Sequence, residues 1–153
     1  MEVAFDSGVW WAYVLVFLAA AVPVVEVLVV IPAGIVAGLA PVPVLVVALA
    51  GNLSTVVLVV LAGDRLAGWW RARRVPSRAE RPRAVRARQL AQRWGVPGLG
   101  LLAPMTTGSH VAAVAALATG AGQRRVLVWM TIGLVGWAVA VTVAATLGVG
   151  WVR

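Results

Sequence analysis

Residues 97–120 read PGLGLLAPMTTGSHVAAVAALATG. The stretch is apolar enough to enter a bilayer, yet Pro104, Thr106, Thr107, Gly108, Ser109 and His110 stand at its middle. A helix that simply crosses lipid avoids that combination. An imidazole and three hydroxyls need partners at membrane depth, and Pro104 cannot donate a backbone N–H. The pattern predicts a re-entrant helical hairpin over 97–120. It enters to the midplane, turns on the polar residues and leaves on the same side, with Pro104 and Gly108 marking the break.

Composition names lipid as the solvent. The chain has 153 residues, 62% apolar and 12% charged, with a mean hydropathy of +0.97. Soluble domains are nearer half apolar and a quarter charged. A single membrane domain, residues 1–153, is expected. The basic residues are all arginine, and ten of the thirteen lie between Arg65 and Arg93. Apolar spans flank that run, so the positive-inside rule explains it more simply than nucleic acid does. No cysteine is present, which excludes disulfides and thiolate metal sites. One histidine is too few for a histidine-built metal centre. No metal and no cofactor are expected. Glu2 and Asp6 stand where a signal peptide would be positive, so no cleavage is expected, although Ala19-Ala20-Ala21 resembles a processing site.

Upstream of the hairpin, residues 10–22 are apolar and open on Trp10-Trp11. Pro23, Glu26, Pro32, Gly34, Gly38, Pro41 and Pro43 interrupt the next apolar stretch. Residues 10–40 read either as one long kinked helix or as a short helix and a second re-entrant hairpin over 23–40, broken at Pro32 and Gly34. The hairpin reading leaves arms of about nine residues, or roughly 13 Å, which reach only the midplane. Val44 to Gly63 is a clean span of about 30 Å. Asn52, Ser54 and Thr55 interrupt it at mid-depth, and Asp64-Arg65 ends it with a local pair. Trp69-Trp70 belong to an aromatic belt. Residues 65–95 form an arginine-rich loop. Within it Ser77 and Glu80 have capping-box spacing, Pro82 suits a first turn, and Ala84, Ala87, Leu90, Ala91 and Trp94 recur at helical spacing. An amphipathic helix on the cytoplasmic surface is predicted, with a solvated loop as the bland reading. Residues 126–150 are the second span, with Gly133 and Gly136 as packing residues and Trp129 and Trp151 near its ends.

Arg124-Arg125 decides the topology. If residues 97–120 turn back, twelve of thirteen arginines share one side. That side is then the cytoplasm, and the C-terminus is outside. The expected fold is all-α integral membrane: two full spans and two opposed re-entrant hairpins in an inverted repeat, with the amphipathic helix between the halves 10–63 and 97–150.

Three blocks carry a family likeness. They are Glu26 with Ile31-Pro32, Gly34 and Gly51-Asn52; Ala103-Pro104 running into Thr107-Gly108 and on to Gly120; and the basic loop between them. Over about residues 20–150 the chain resembles the small multidrug export protein family. That family is itself similar to the DedA, or SNARE-associated membrane protein, group and its lipid-scramblase relatives. The resemblance implies a bacterial inner-membrane transporter in which an acid of the first hairpin matters, here Glu26. Val27 and Leu28 stand where relatives often carry an arginine. The second hairpin offers His110, with Arg124-Arg125 beyond it.

The residues themselves suggest a site. A carboxylate in hydrocarbon costs about 3 kcal/mol on insertion scales, so Glu26 reads as a proton-coupling or head-group residue. The bland reading is a shallow carboxylate near the outer interface. His110, charged or neutral near physiological pH, is its natural partner; a neutral ring satisfied by a local carbonyl is the alternative. Thr106, Thr107, Gly108 and Ser109 suit an anionic head group at a helix start, or plain N-capping. Asn52 is expected to brace a hairpin backbone. Arg86 and Arg93 are expected to meet lipid head groups, although topology alone accounts for the arginine run. The tryptophans read as interfacial belts. No set of catalytic groups appears, so an enzyme is not expected.

The preferred reading is a small exporter of amphipathic molecules or lipid head groups, proton-coupled, with a midplane site around Glu26, Asn52, Thr107, Ser109 and His110. Its alternatives are an uncoupled lipid translocase and a non-transporting subunit of a larger membrane complex. Membrane lipids and a second copy, as a homodimer, are the expected partners.

Overall fold

A computed structural model describes residues 9–23, 25–63 and 82–152, with the side chains of residues 82–88, 90–92 and 152 outside the description. The described residues form six helices and no strand: α1 Val9–Ala21, α2 Glu26–Val36, α3 Pro41–Leu61, α4 Pro82–Thr106, α5 Ser109–Ala118 and α6 Gln123–Val152. Two of them, α3 and α6, are long and apolar enough to cross a membrane. At the helical rise the 21 residues of α3 give about 31 Å. The 13, 11 and 10 residues of α1, α2 and α5 are too few to cross.

The outer surface is apolar along the described helices. Leu15 is 65% exposed, and Val29, Leu58, Met105 and Leu147 are also mostly exposed. Water would penalise such a surface, whereas lipid does not. Lipid also removes the hydrophobic drive between helices, so packing depends on close backbone approach at small residues.

Residues up to Leu53 together with those from Gly136 form one compact unit, and Ser54–Val135 form the other. In the first unit α1 packs on α2. Gly51 of α3 lies so close to the Phe17 backbone carbonyl that a Cβ would overlap it, and Gly34 of α2 faces Val44. Tyr13 Oη accepts a hydrogen bond from the Ala40 N–H at 3.3 Å. In the second unit α4 packs on α5. Gly133 of α6 lies against the Gly100 backbone of α4, and Gly100 against that of Trp129. Pro104 has no N–H for the Gly100 carbonyl four residues back. It is this carbonyl oxygen that a Cβ on Gly133 would strike.

Several boundaries differ from expectation. Pro32 and Gly34 do not break the chain: α2 runs through both. Opening a helix in lipid would strand several backbone groups, whereas Pro32 forfeits one hydrogen bond. The breaks fall instead at residues 22, 23 and 25 and at residues 37–40, where Gly38 has φ 91. The packed pair is therefore α1 with α2, not an arm-turn-arm over 23–40. Pro104 likewise lies inside α4, and the break comes at Thr107–Gly108, where both N–H groups reach the Ala103 carbonyl. The first span starts at Pro41 rather than Val44, since proline is tolerated in a first turn. The second starts at Gln123. Gly136 and Gly38 have open space where Gly133 and Gly34 meet neighbours.

Residues 82–94 are helical, ending at Gly95, whose φ of 62 and ψ of −160 interrupt α4. The capping box at Ser77 and Glu80, the Asp64-Arg65 pair and Trp69-Trp70 lie outside the described residues.

The two helix series share a register. Gly38 and Gly120 both have positive φ and close α2 and α5; they are 82 positions apart. So are the first residues of α3 and α6, Pro41 and Gln123. So are Gly51 and Gly133, each against the backbone of a preceding helix. The buried positions of α3 recur on α6 at the same spacing: Val44 and Val126, Ala48 and Met130, Asn52 and Leu134, Val56 and Ala138, Val60 and Thr142. The boundaries between the units, after Leu53 and after Val135, fall at matching points too.

Candidate functional site

Each unit has a buried polar residue where a short helix begins. In the first unit that residue is Glu26, at the start of α2 and 5% exposed. It is the one described non-glycine residue with positive φ, at 46. An L side chain in that region costs roughly 1–2 kcal/mol. Asn52, fully buried on α3, belongs to the same unit. Both residues engage other groups.

In the second unit the break is made by Gly108, with φ 88 and ψ 142, a conformation open only to glycine. It lets α5 begin at Ser109-His110, both buried. Ser109 Oγ lies 3.3 Å from His110 Nδ1, and Thr55 Oγ1 of α3 lies 2.8 Å from His110 Nε2. A neutral imidazole has one N–H donor and one acceptor nitrogen, and a hydroxyl serves either role. The chain Ser109–His110–Thr55 can therefore run in either direction without orphaning a group. It can also release one hydroxyl to a ligand. Hydroxyls thus stand at both ring nitrogens of His110. No side chain caps α5, Thr106 Oγ1 donates back to the Leu102 carbonyl at 2.9 Å, and Thr107 Oγ1 donates to the Gly108 carbonyl at 3.4 Å.

The structure thus brings Thr107, Ser109 and His110 into one unit and puts Glu26 and Asn52 in the other. Arg93 is exposed near the end of the helical stretch 82–94, and Arg86 lies on that stretch with its side chain outside the description. Among the described residues no three His, Cys, Asp or Glu side chains gather as a metal site. Thr55 is the residue that sequence reasoning missed. It reads as one more mid-span hydroxyl, and its link to His110, 55 positions away, has no signal in one sequence.

No curated protein and no solved structure matches the chain at a significant level. A family match does reach both helix breaks. The family described as "Putative small multi-drug export protein" matches residues 26–140. That is more than half of the chain, from the first residue of α2 into α6, and this membrane protein therefore belongs to the small multi-drug export protein family.

Proposed function

We propose that the chain exports amphipathic small molecules or lipid head groups across the bacterial inner membrane, coupled to protons. One observation supports this best: two ionisable side chains, Glu26 and His110, each 5% exposed, begin short helices in an otherwise apolar protein. Intramembrane ionisable groups are expensive and mark transport paths or proton relays. On this reading α1 with α2, and residues 96–118, are two re-entrant hairpins of an inverted repeat. The arginine-rich loop is cytoplasmic and the C-terminus is outside. Glu26 and Asn52 attract a cationic group. The hydroxyls and N–H groups at the start of α5 suit a phosphate. The protein works as a homodimer, because one chain this short offers few walls for a path.

The test is uptake of tetraphenylphosphonium, a lipophilic cation, into proteoliposomes under an imposed pH gradient. Uptake is expected to follow the gradient and to stop with Glu26→Gln. Unchanged uptake by that variant would sink the mechanism, and lipid flipping indifferent to the gradient would favour an uncoupled translocase. Topology has its own check. The chain has no cysteine, so single cysteines at Arg86 and Arg125 can be labelled cleanly. Both are expected on the same face.

A further inference from the structure

The helical stretch before Gly95 has no part in the proposed export mechanism. Its described end looks unlike the rest of α4. Gln89, Arg93 and Trp94 are exposed, whereas Val96, Leu99 and Ala103, beyond Gly95, are buried. Gly95 is where exposed residues give way to buried ones: its φ and ψ interrupt the helix, and a Cβ on Gly98 would strike the Trp94 side chain. On a helical wheel Ala87, Leu90, Ala91 and Trp94 share one face, which Arg83 heads in the first turn. Arg86 and Arg93 flank it on one side and Arg88 on the other, and residues 82–94 contain no acidic residue. Trp94, on the apolar face, is 66% exposed, so the described residues do not cover that end.

Topology accounts for where arginines sit, but it requires neither a helix nor an apolar face. An apolar stripe edged by cations and tipped by an indole matches the head-group boundary of an anionic bilayer. The chain beyond Gly95 continues into apolar sequence, which keeps Trp94 at membrane level. We propose that residues 82–94 are an anionic-lipid-binding helix that lies on the bilayer surface. Trp94 is its anchor at the interface, and Gly95 is the bend that lets it lie flat. Residence at the surface then depends on anionic lipid by roughly fivefold for each arginine engaged. Phosphatidylglycerol is the bilayer component with the matching charge.

The test uses the full chain with one introduced cysteine, Ala87→Cys, carrying a nitroxide, in bilayers of phosphatidylcholine with or without phosphatidylglycerol. Accessibility to oxygen against a water-soluble nickel complex reports depth. The label is expected at the interface with phosphatidylglycerol and in water without it. Raising salt from about 0.1 to about 1 M shortens the screening length from roughly 10 to 3 Å and should release it. That arm needs no change to the arginines, whose removal would disturb insertion. Trp94→Ala should shift the label toward water in the anionic bilayer. A label in water with both lipids would overturn the proposal. So would a label equally buried in both, because the charge recognition would be gone. Neither result bears on Glu26.

Discussion

Two regions of this chain solve one backbone problem with different residues. The helix series α1–α2–α3 and the series from residue 96 through α5 and α6 share a register of 82 positions. At matching points the first has Glu26 with φ 46 and the second has Gly108 with φ 88. Glycine suits that turn without strain. Glutamate does not, and a strained non-glycine residue at a chain break points to function. Elsewhere the register is filled alike: glycine at 51 and 133, and buried residues down α3 and α6. The shared positions hold backbones together. The differing ones include Glu26 against Gly108 and Asn52 against Leu134, polar in the first series and not in the second.

The shared glycines should be the most sensitive positions. Gly51→Ala drives a methyl into the Phe17 carbonyl, and Gly133→Ala drives one into that of Gly100. Backbone cannot step aside as a flexible side chain can. Each substitution is expected to destabilise by about 3 kcal/mol, the upper part of the range for overpacking, measured by thermal unfolding in detergent. If one of the pair is silent, the two halves do not pack alike.

Next is Thr55→Val, which keeps the shape and removes the hydroxyl from His110 Nε2. A buried nitrogen left unsatisfied costs roughly 1–3 kcal/mol. Thr55→Ser should restore most of that, and His110→Leu should make Thr55→Val nearly neutral. Additive losses in this cycle would mean that the 2.8 Å contact has no energetic weight.

Much of the scheme was legible in residues 97–120, because polar residues at membrane depth leave few options. The break at Gly108 follows from that logic, though Pro104 does not share it, and the two long spans follow from their own apolar length. The first break was not legible. Pro32 and Gly34 look like a turn, but lipid makes a bent helix cheaper than an opened one, so the chain breaks beside Glu26 instead. The small-residue pair of the second span also misled: spacing cannot tell a glycine that meets backbone, such as Gly133, from one on open space, such as Gly136.

The break itself gives an opposite pair of effects. Glu26→Gly removes a side chain from a left-handed position and should stabilise by about 1 kcal/mol. Gly108→Ala, in a conformation that only glycine takes without strain, should destabilise by about 1–3 kcal/mol. Export should fail with Glu26→Gly even as the protein melts later. That divergence separates a residue kept for chemistry from one kept for folding. A glycine variant less stable than the parent would show that Glu26 holds the structure together.

The smallest effect isolates geometry from composition. Gly133 and Gly136 are three residues apart on one helix, equally small and equally apolar, and differ in what a Cβ would meet. At Gly136 it meets nothing within 4 Å. Gly136→Ala should therefore lose nothing in packing and gain at most about 1 kcal/mol from helix propensity. Against the roughly 3 kcal/mol expected at Gly133, that contrast within one turn makes the α4–α6 backbone contact, rather than glycine content, the feature that fixes the second unit. A loss at Gly136 as large as that at Gly133 would mean that another surface covers this face of α6.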